Sequence, residues 1–249
     1  MSGHNKWSTI KHKKEKTDAQ RGKIFTKIGR EIVIAVREGG GGDPLVNGKL
    51  RDVIAKAKTA NMPNDNILRS IKKAAGEGEG ANYKEMVYEG YAPGGVAVIV
   101  EMVTDNLNRT ASEVRHIFDK CGGSLGATGC VSWMFERKGV IEMDNAKGLD
   151  EEELMMLALD AGAADVEVEE DVAVVYTDPN EFSAVRENLE KAGCSFLSAE
   201  RAMVPTNTVD VTDAETIAKV VKLIDWLVDY EDSQGVYHNA NLPEDAEED

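Results

Sequence analysis

The five residues Gly76-Glu77-Gly78-Glu79-Gly80 divide this chain into two kinds of sequence. Alternating glycine and glutamate has no apolar face and no helix-forming continuity, so the stretch reads as a linker. Upstream of it, apolar residues recur at helical spacing; downstream, short β-branched runs alternate with helical segments. Charge changes sign at the same place. Residues 1–75 hold 17 Lys+Arg and 7 Asp+Glu, a net of +10, and residues 76–249 hold 12 and 38, a net of −26, which gives the −16 of the whole chain. A basic head on an acidic body points to a module that meets nucleic acid and a body that does not.

On the upstream side, residues 1–17 are polar and rich in lysine, with Trp7 and Ile10 as their large apolar residues. Thr17 and Gln20 resemble a capping box, which predicts a helix from Asp18 to Glu38. Gly39 to Gly42, then Asp43 and Pro44, end it. A second helix fits residues 50–60, with Leu50, Val53, Ile54 and Ala57 on one face. Pro63 suits the start of a third, with Ile67, Leu68 and Ile71 inward and Gly76 as its stop. Residues 1–75 therefore read as a basic arm and an all-helical domain.

On the downstream side, residues 86–91 and 96–104 are expected to be strands around the turn Ala92-Pro93-Gly94-Gly95. A helix over 108–120 and a strand over 130–135 follow. Residues 137–205 then carry a regular rhythm: strand 140–143, helix 151–161, hairpin 165–169 and 172–176, helix 182–192, strand 196–204. That order, βαββαβ, is the ferredoxin-like plan. A helix over 214–227 and a strand over 235–238 have no sheet of their own, so they are expected to complete the sheet begun at 86–135. The fold class is then α+β: an N-terminal all-helical domain, an α/β domain made of residues 81–136 plus 206–240, and a ferredoxin-like α/β domain, 137–205, inserted in it. Residues 241–249 form an acidic tail.

The composition is that of a water-soluble globular protein, 42% hydrophobic and 30% charged. No uninterrupted apolar run approaches the roughly 20 residues that span a bilayer, so no membrane partner is expected. The N-terminus lacks the apolar core of a signal peptide, and the three cysteines are an odd number, which suits reduced thiols and a cytoplasmic location.

The first helix carries the sharpest electrostatic pattern. With Lys23 at zero and about 100° per residue, Lys27 falls at about +40°, Arg30 at about −20° and Arg37 at about −40°. Ile24, Phe25, Ile28, Ile32, Ala35 and Val36 occupy the opposite side, while Val33 and Ile34 break the pattern and predict burial on two sides of the C-terminal half. A cationic stripe opposite an apolar one can lie along a phosphate backbone while the helix is docked on its own domain. A plain solvated face is the alternative reading. The preceding arm adds Lys6, Lys11, Lys13, Lys14 and Lys16 with His12, for phosphates, and Trp7, whose indole can stack on an exposed base or pack on the helical domain. The candidate nucleic-acid-binding residues are therefore Lys6, Trp7, Lys11, His12, Lys13, Lys14, Arg21, Lys23, Lys27, Arg30 and Arg37.

Other chemistries find little support. The four histidines are scattered, and Cys121 and Cys130 are separated by eight intervening residues, unlike the two to four of zinc knuckles, so neither metal nor cofactor is expected. Gly94-Gly95 and Gly122-Gly123-Ser124-Leu125-Gly126 match neither the P-loop nor the dinucleotide fingerprint and read as turns. The acids at 150–153 suit a helix start. No nucleophile–base arrangement stands out, which argues against an enzyme; an interdomain cleft that binds a small ligand is a remote alternative.

Several longer motifs carry a family likeness: Gly3-His4-Asn5-Lys6-Trp7, Ile10-Lys11-His12, Arg21-Gly22-Lys23-Ile24-Phe25-Thr26-Lys27, Gly41-Gly42-Asp43-Pro44, Lys56-Ala57-Lys58 and Ala60-Asn61-Met62-Pro63 in the head, then Tyr88-Glu89-Gly90-Tyr91-Ala92-Pro93-Gly94-Gly95-Val96-Ala97, Thr104-Asp105-Asn106, Asn108-Arg109-Thr110 and Ser132-Trp133-Met134-Phe135. In this order they resemble the YebC/PmpR family over residues 2–238. Position 5 is Asn where Ser is common in that family, and the acidic tail lies outside its pattern. The resemblance implies three domains and a regulator of gene expression, conventionally a DNA-binding transcriptional regulator. Other members, including mitochondrial activators of cytochrome oxidase subunit translation, act on messenger RNA or the ribosome. The implied partner is thus DNA, or RNA and the ribosome.

Overall fold

The computed structural model describes residues 18–76, 82–144, 150–169 and 172–243. The arm residues Lys6, Trp7, Lys11, His12, Lys13, Lys14 and Lys16, the capping residue Thr17, linker positions 77–80 and the tail from 244 onward lie outside these.

Helix α1 spans Asp18–Glu38, α2 Gly48–Thr59 and α3 Asn64–Ala75. Burial of Ile32, Val33, Ile34, Ala35 and Val36 in succession confirms that the second half of α1 is enclosed on more than one side. The turn from α1 to α2 is built on one side chain. Buried Asn47 caps α2 by accepting from Leu50 N at 2.9 Å, and its amide donates to the carbonyls of Ala35 and Gly41, both at 2.8 Å.

Chain contacts group the molecule into two units, residues 1–34, 77–136 and 203–249 in one, 35–76 and 137–202 in the other. In the first, β1 (Lys84–Ala92) and β2 (Val96–Thr104) form a hairpin, paired from Lys84↔Thr104 to Ala92↔Val96. Gly94 and Gly95, both at φ +77, make the turn that joins them. Helix α4 (Leu107–Lys120) follows, and a short β3 (Ser124–Leu125) returns to the β1 edge. After the intervening segment come β8 (Val209–Asp210), α7 (Ala214–Asp229), β9 (Ser233–His238) and β10 (Ala240–Asn241). Strand β9 pairs with β2, so the sheet order is β3-β1-β2-β9 and strands from both ends of the chain share one sheet. Its core joins Val96, Val98, Val100 and Met102 to Val114, Ile117 and Phe118 of α4 and to Val220, Leu223 and Leu227 of α7.

The segment between is the insert. Strand β4 (Phe135–Asp144), helix α5 (Glu151–Ala161), β5 (Asp165–Glu169), β6 (Val172–Thr177), α6 (Phe182–Lys191) and β7 (Ser195–Pro205) form a sheet of order β5-β6-β4-β7. This is the ferredoxin-like order, with the first strand beside the third. Both helices lay their apolar stripes on it: Leu154, Ala158, Phe182, Val185 and Leu189 meet Ile141, Met143, Ala173 and Val175. Helix α5 begins at a capping box, Asp150 with Glu153, and ends at Gly162, φ +101.

Leu68, expected to face inward on α3, is 54% exposed, and two segments also need correction. Residues 130–135 are not a strand: a 3₁₀ turn occupies Ser132–Met134, and β4 starts only at Phe135. The cause is Glu89, whose buried carboxylate accepts from Gly129 N at 2.8 Å and from Val131 N and Ser132 N at 2.9 Å. Backbone donors that a sheet ladder would need are thus taken by a side chain. Burial alone would raise the Glu89 pKa, but these three donors and the Ser132 hydroxyl outweigh it and hold the carboxyl below its ordinary range. The loop they hold presents Trp133, 72% exposed, with its indole N–H donated to Cys130 O at 3.1 Å. The second correction is Ser124-Leu125, read as part of a turn, which forms the edge strand β3.

Candidate nucleic-acid interface

The cationic row of α1 exists, and most of it is occupied by acceptors from its own unit. Lys23 Nζ lies 3.5 Å from the Asp229 carboxylate, both side chains exposed. Lys27 Nζ donates to the carbonyl of Val228 at 2.6 Å, at the C-terminal end of α7, where the helix dipole favours a cation. Arg30 goes deepest. It donates to Glu231 O at 2.7 Å and to Asp232 Oδ1 at 2.6 Å, and its guanidinium lies 5.5 Å from the centre of the Tyr83 ring.

Asp232 is the hub. It is fully buried and also accepts from Arg109 at 2.9 Å, from the Thr110 hydroxyl at 2.7 Å and from the Tyr230 hydroxyl at 3.1 Å. Burial works to raise its pKa; the donations from Arg109, Thr110 and Tyr230 prevail and keep it below the usual carboxylate range. The same contact drives the Arg109 pKa upward. A buried anion ringed by donors in this way fixes α1, α4 and the approach to β9 together. Arg30, 12% exposed, is therefore turned away from solvent. Arg21 and Arg37 are exposed at either end of the helix, Arg37 in its last turn.

The helical segment holds a second set of cations that the stripe reasoning passed over. Lys49 pairs with Glu38, Arg51 with Glu187 at 3.3 Å and Lys56 with Glu200 at 3.4 Å. Lys58, in the last turn of α2, and Arg69, Lys72 and Lys73 on α3 are exposed, and among the described residues they have no ion pair or hydrogen-bond partner. Arg69, Lys72 and Lys73 fall within an arc of about 100° on α3. A flat row of unpaired cations suits a polyanion, because each phosphate contact releases a condensed counterion without first breaking an internal pair. The signal in the sequence was the (i, i+3, i+4) spacing of these three, which by itself looks like any solvated helix face.

Among the described residues, no three His, Cys, Asp or Glu side chains converge to hold a metal, and no helix is long and apolar enough to cross a membrane. His238 is fully enclosed, its imidazole accepts from Ala240 N at 3.3 Å, and burial lowers its pKa to about 4, so it is neutral at pH 7.

Known proteins place the chain. The model of the TACO1/YebC protein N-terminal domain matches residues 5–77, and that of the TACO1/YebC second and third domain matches residues 83–240. A "probable transcriptional regulatory protein" of Acetivibrio thermocellus is 62% identical over 239 residues, covering 96% of this chain and 98% of that one. One from Clostridium novyi is 59% identical over 247 residues, covering 99% and 100%. The crystal structure of a conserved hypothetical protein from Aquifex aeolicus matches with a TM-score of 0.87 at 53% identity, covering 96% of this chain and 98% of that one. With both family models matched in order across nearly its full length, the chain belongs to the TACO1/YebC family.

Proposed function

We propose that this protein is a non-enzymatic, cytoplasmic regulator of gene expression that binds nucleic acid through its helical head, as a DNA-binding transcriptional regulator. The observation that carries this reading is the set of exposed cations Lys58, Arg69, Lys72 and Lys73, without a partner among the described residues, in a chain whose net charge is −16. The names of its relatives as probable transcriptional regulatory proteins support the transcriptional role. In this reading α3 and Lys58 contact phosphates, joined by the exposed Arg21, Lys23 and Arg37 and by the arm residues Lys6, Lys11, His12, Lys13 and Lys14, with Trp7 as a stacking group. Lys27 and Arg30 serve to hold α1 in place.

A translational role on messenger RNA or the ribosome is the second reading. The acidic body favours it, since such a surface repels phosphates and suits basic proteins. Salt titration tests the first reading: four phosphate contacts by Lys58, Arg69, Lys72 and Lys73 contribute about −3.6 to the slope of log K against log salt on duplex DNA. Loss of that contribution in the fourfold alanine variant is expected. Co-sedimentation with ribosomal subunits that survives DNase but not RNase, with no measurable duplex binding, would replace transcription with translation.

A further inference from the structure

We propose that the outer face of α5 in the ferredoxin-like insert docks a basic, amphipathic helix of a partner protein. Helix α5 is apolar on both sides. Leu154, Ala158 and Ala161 point into the core. With Glu152 at zero and about 100° per residue, these fall between about 180° and 240°, whereas Leu159, Met156 and Met155 fall at about −20°, +40° and −60°. The second set faces water: Met156 is 65% exposed, Leu159 52% and Met155 40%. Folding of the insert does not need them, since the helix is closed at its start by the Asp150–Glu153 capping box, at its end by Gly162, and on its inner side by the core.

Charge names the occupant. On the same outer face Glu152 sits at the top of the stripe, Asp160 and Glu153 border it at about 80° and 100°, and Glu151 at about −100°. The helix carries no Lys, Arg or His. Among the described residues Glu151, Glu152 and Asp160 have no ion pair or hydrogen-bond partner. Residues 137–205 as a whole hold 17 Asp+Glu and 6 Lys+Arg. A polyanion or an anionic membrane is repelled by such a rim, and a second copy of the face would set acid against acid. A helix with apolar residues at i, i+3, i+4 and i+7 and lysines on its flanks satisfies both the stripe and its borders. Methionine suits the contact, because its flexible, polarizable thioether adapts to the shape of what it meets. One helix face is a small interface, so the complex is transient.

The test is titration of the full-length protein with a labelled synthetic 18-residue helix carrying leucine at those spacings and lysine on its flanks, followed by fluorescence anisotropy. A twin peptide with every lysine replaced by glutamate is the control. Binding with Kd on the order of 10 µM is expected for the lysine peptide and none for its twin. The Met155→Ser/Met156→Ser/Leu159→Ser variant should weaken binding at least tenfold. The Glu151→Gln/Glu152→Gln/Asp160→Asn variant, which leaves the apolar stripe intact, should weaken it several-fold and remove its salt dependence. Equal binding of both peptides, or full affinity in either variant, overturns the proposal, as does self-association through this face. The alanine variant at Lys58, Arg69, Lys72 and Lys73 should bind the peptide unchanged, so failure here is separable from failure of the nucleic-acid reading.

Discussion

Helices α1 and α3 both carry a row of cations, and the two rows have opposite fates. On α1, Lys23, Lys27 and Arg30 reach the end of α7 and the residues that follow it, and Arg30 ends on a carboxylate with no exposed surface. On α3, Arg69, Lys72 and Lys73 point to water with no partner among the described residues. The α1 row is the better stripe by helical geometry, yet it is the one used to assemble the molecule. A cationic stripe is thus evidence of an anionic surface opposite, and only the position of the acids says whether that surface belongs to a partner or to the same chain.

The largest effect expected of this difference is on stability. Asp232→Ala leaves the enclosed Arg30 guanidinium only the exposed Glu231 carboxylate, 3.7 Å away, as counter-charge, and removal of one partner from a buried pair costs about 3–5 kcal/mol. Chemical denaturation should show a loss in that range; a loss under about 1 kcal/mol would mean that the α1 row is held by something else. A second test uses pH. The His238 pKa of about 4 lies below its ordinary 6.5, so the unfolded chain takes up a proton between those values that the folded chain refuses. Stability from this group is complete above pH 6.5 and falls as pH drops towards 4, by about 3 kcal/mol in total. In His238→Asn that component of the slope should vanish. Asp232, with a pKa below the usual carboxylate range, loses its contribution only at lower pH, so the attachment of α1 should outlast the His238 transition. Smaller still, Lys27→Met removes one partly exposed charged hydrogen bond at a helix end and should cost about 1 kcal/mol in the same denaturation assay. Smallest, Lys72→Ala with Lys73→Ala should change stability by less than about 0.5 kcal/mol. A large loss there would show hidden partners and erase the contrast with α1.

Much of the fold was legible because its signals are local. The acidic start of α5 at 150–153 and the alternating runs of the hairpin at 165–176 each act within a few residues. Completion of the first sheet by β9 followed from simple bookkeeping of elements without a sheet. The 130–135 segment misled because the group that decides it, Glu89, lies some forty residues away and draws three N–H groups out of any ladder. The site was less legible for the same reason. Helical geometry brought Lys23, Lys27 and Arg30 to one face correctly, but nothing near them in sequence marks Val228, Asp229 and Asp232, about two hundred residues on, as their partners. The α3 cations were visible only as a solvated face, and the outward Met155, Met156 and Leu159 as general apolar content, since periodicity cannot say which side of a helix a sheet will cover.

The most direct test of the central claim is the salt dependence of duplex DNA binding, compared between the intact protein and the Lys58→Ala/Arg69→Ala/Lys72→Ala/Lys73→Ala variant. The slope of log K against log salt should flatten by between about 3 and 4 units, with the stability of the variant unchanged. An unchanged slope in a folded variant that still binds DNA would contradict the account and return phosphate contact to the α1 row or the arm.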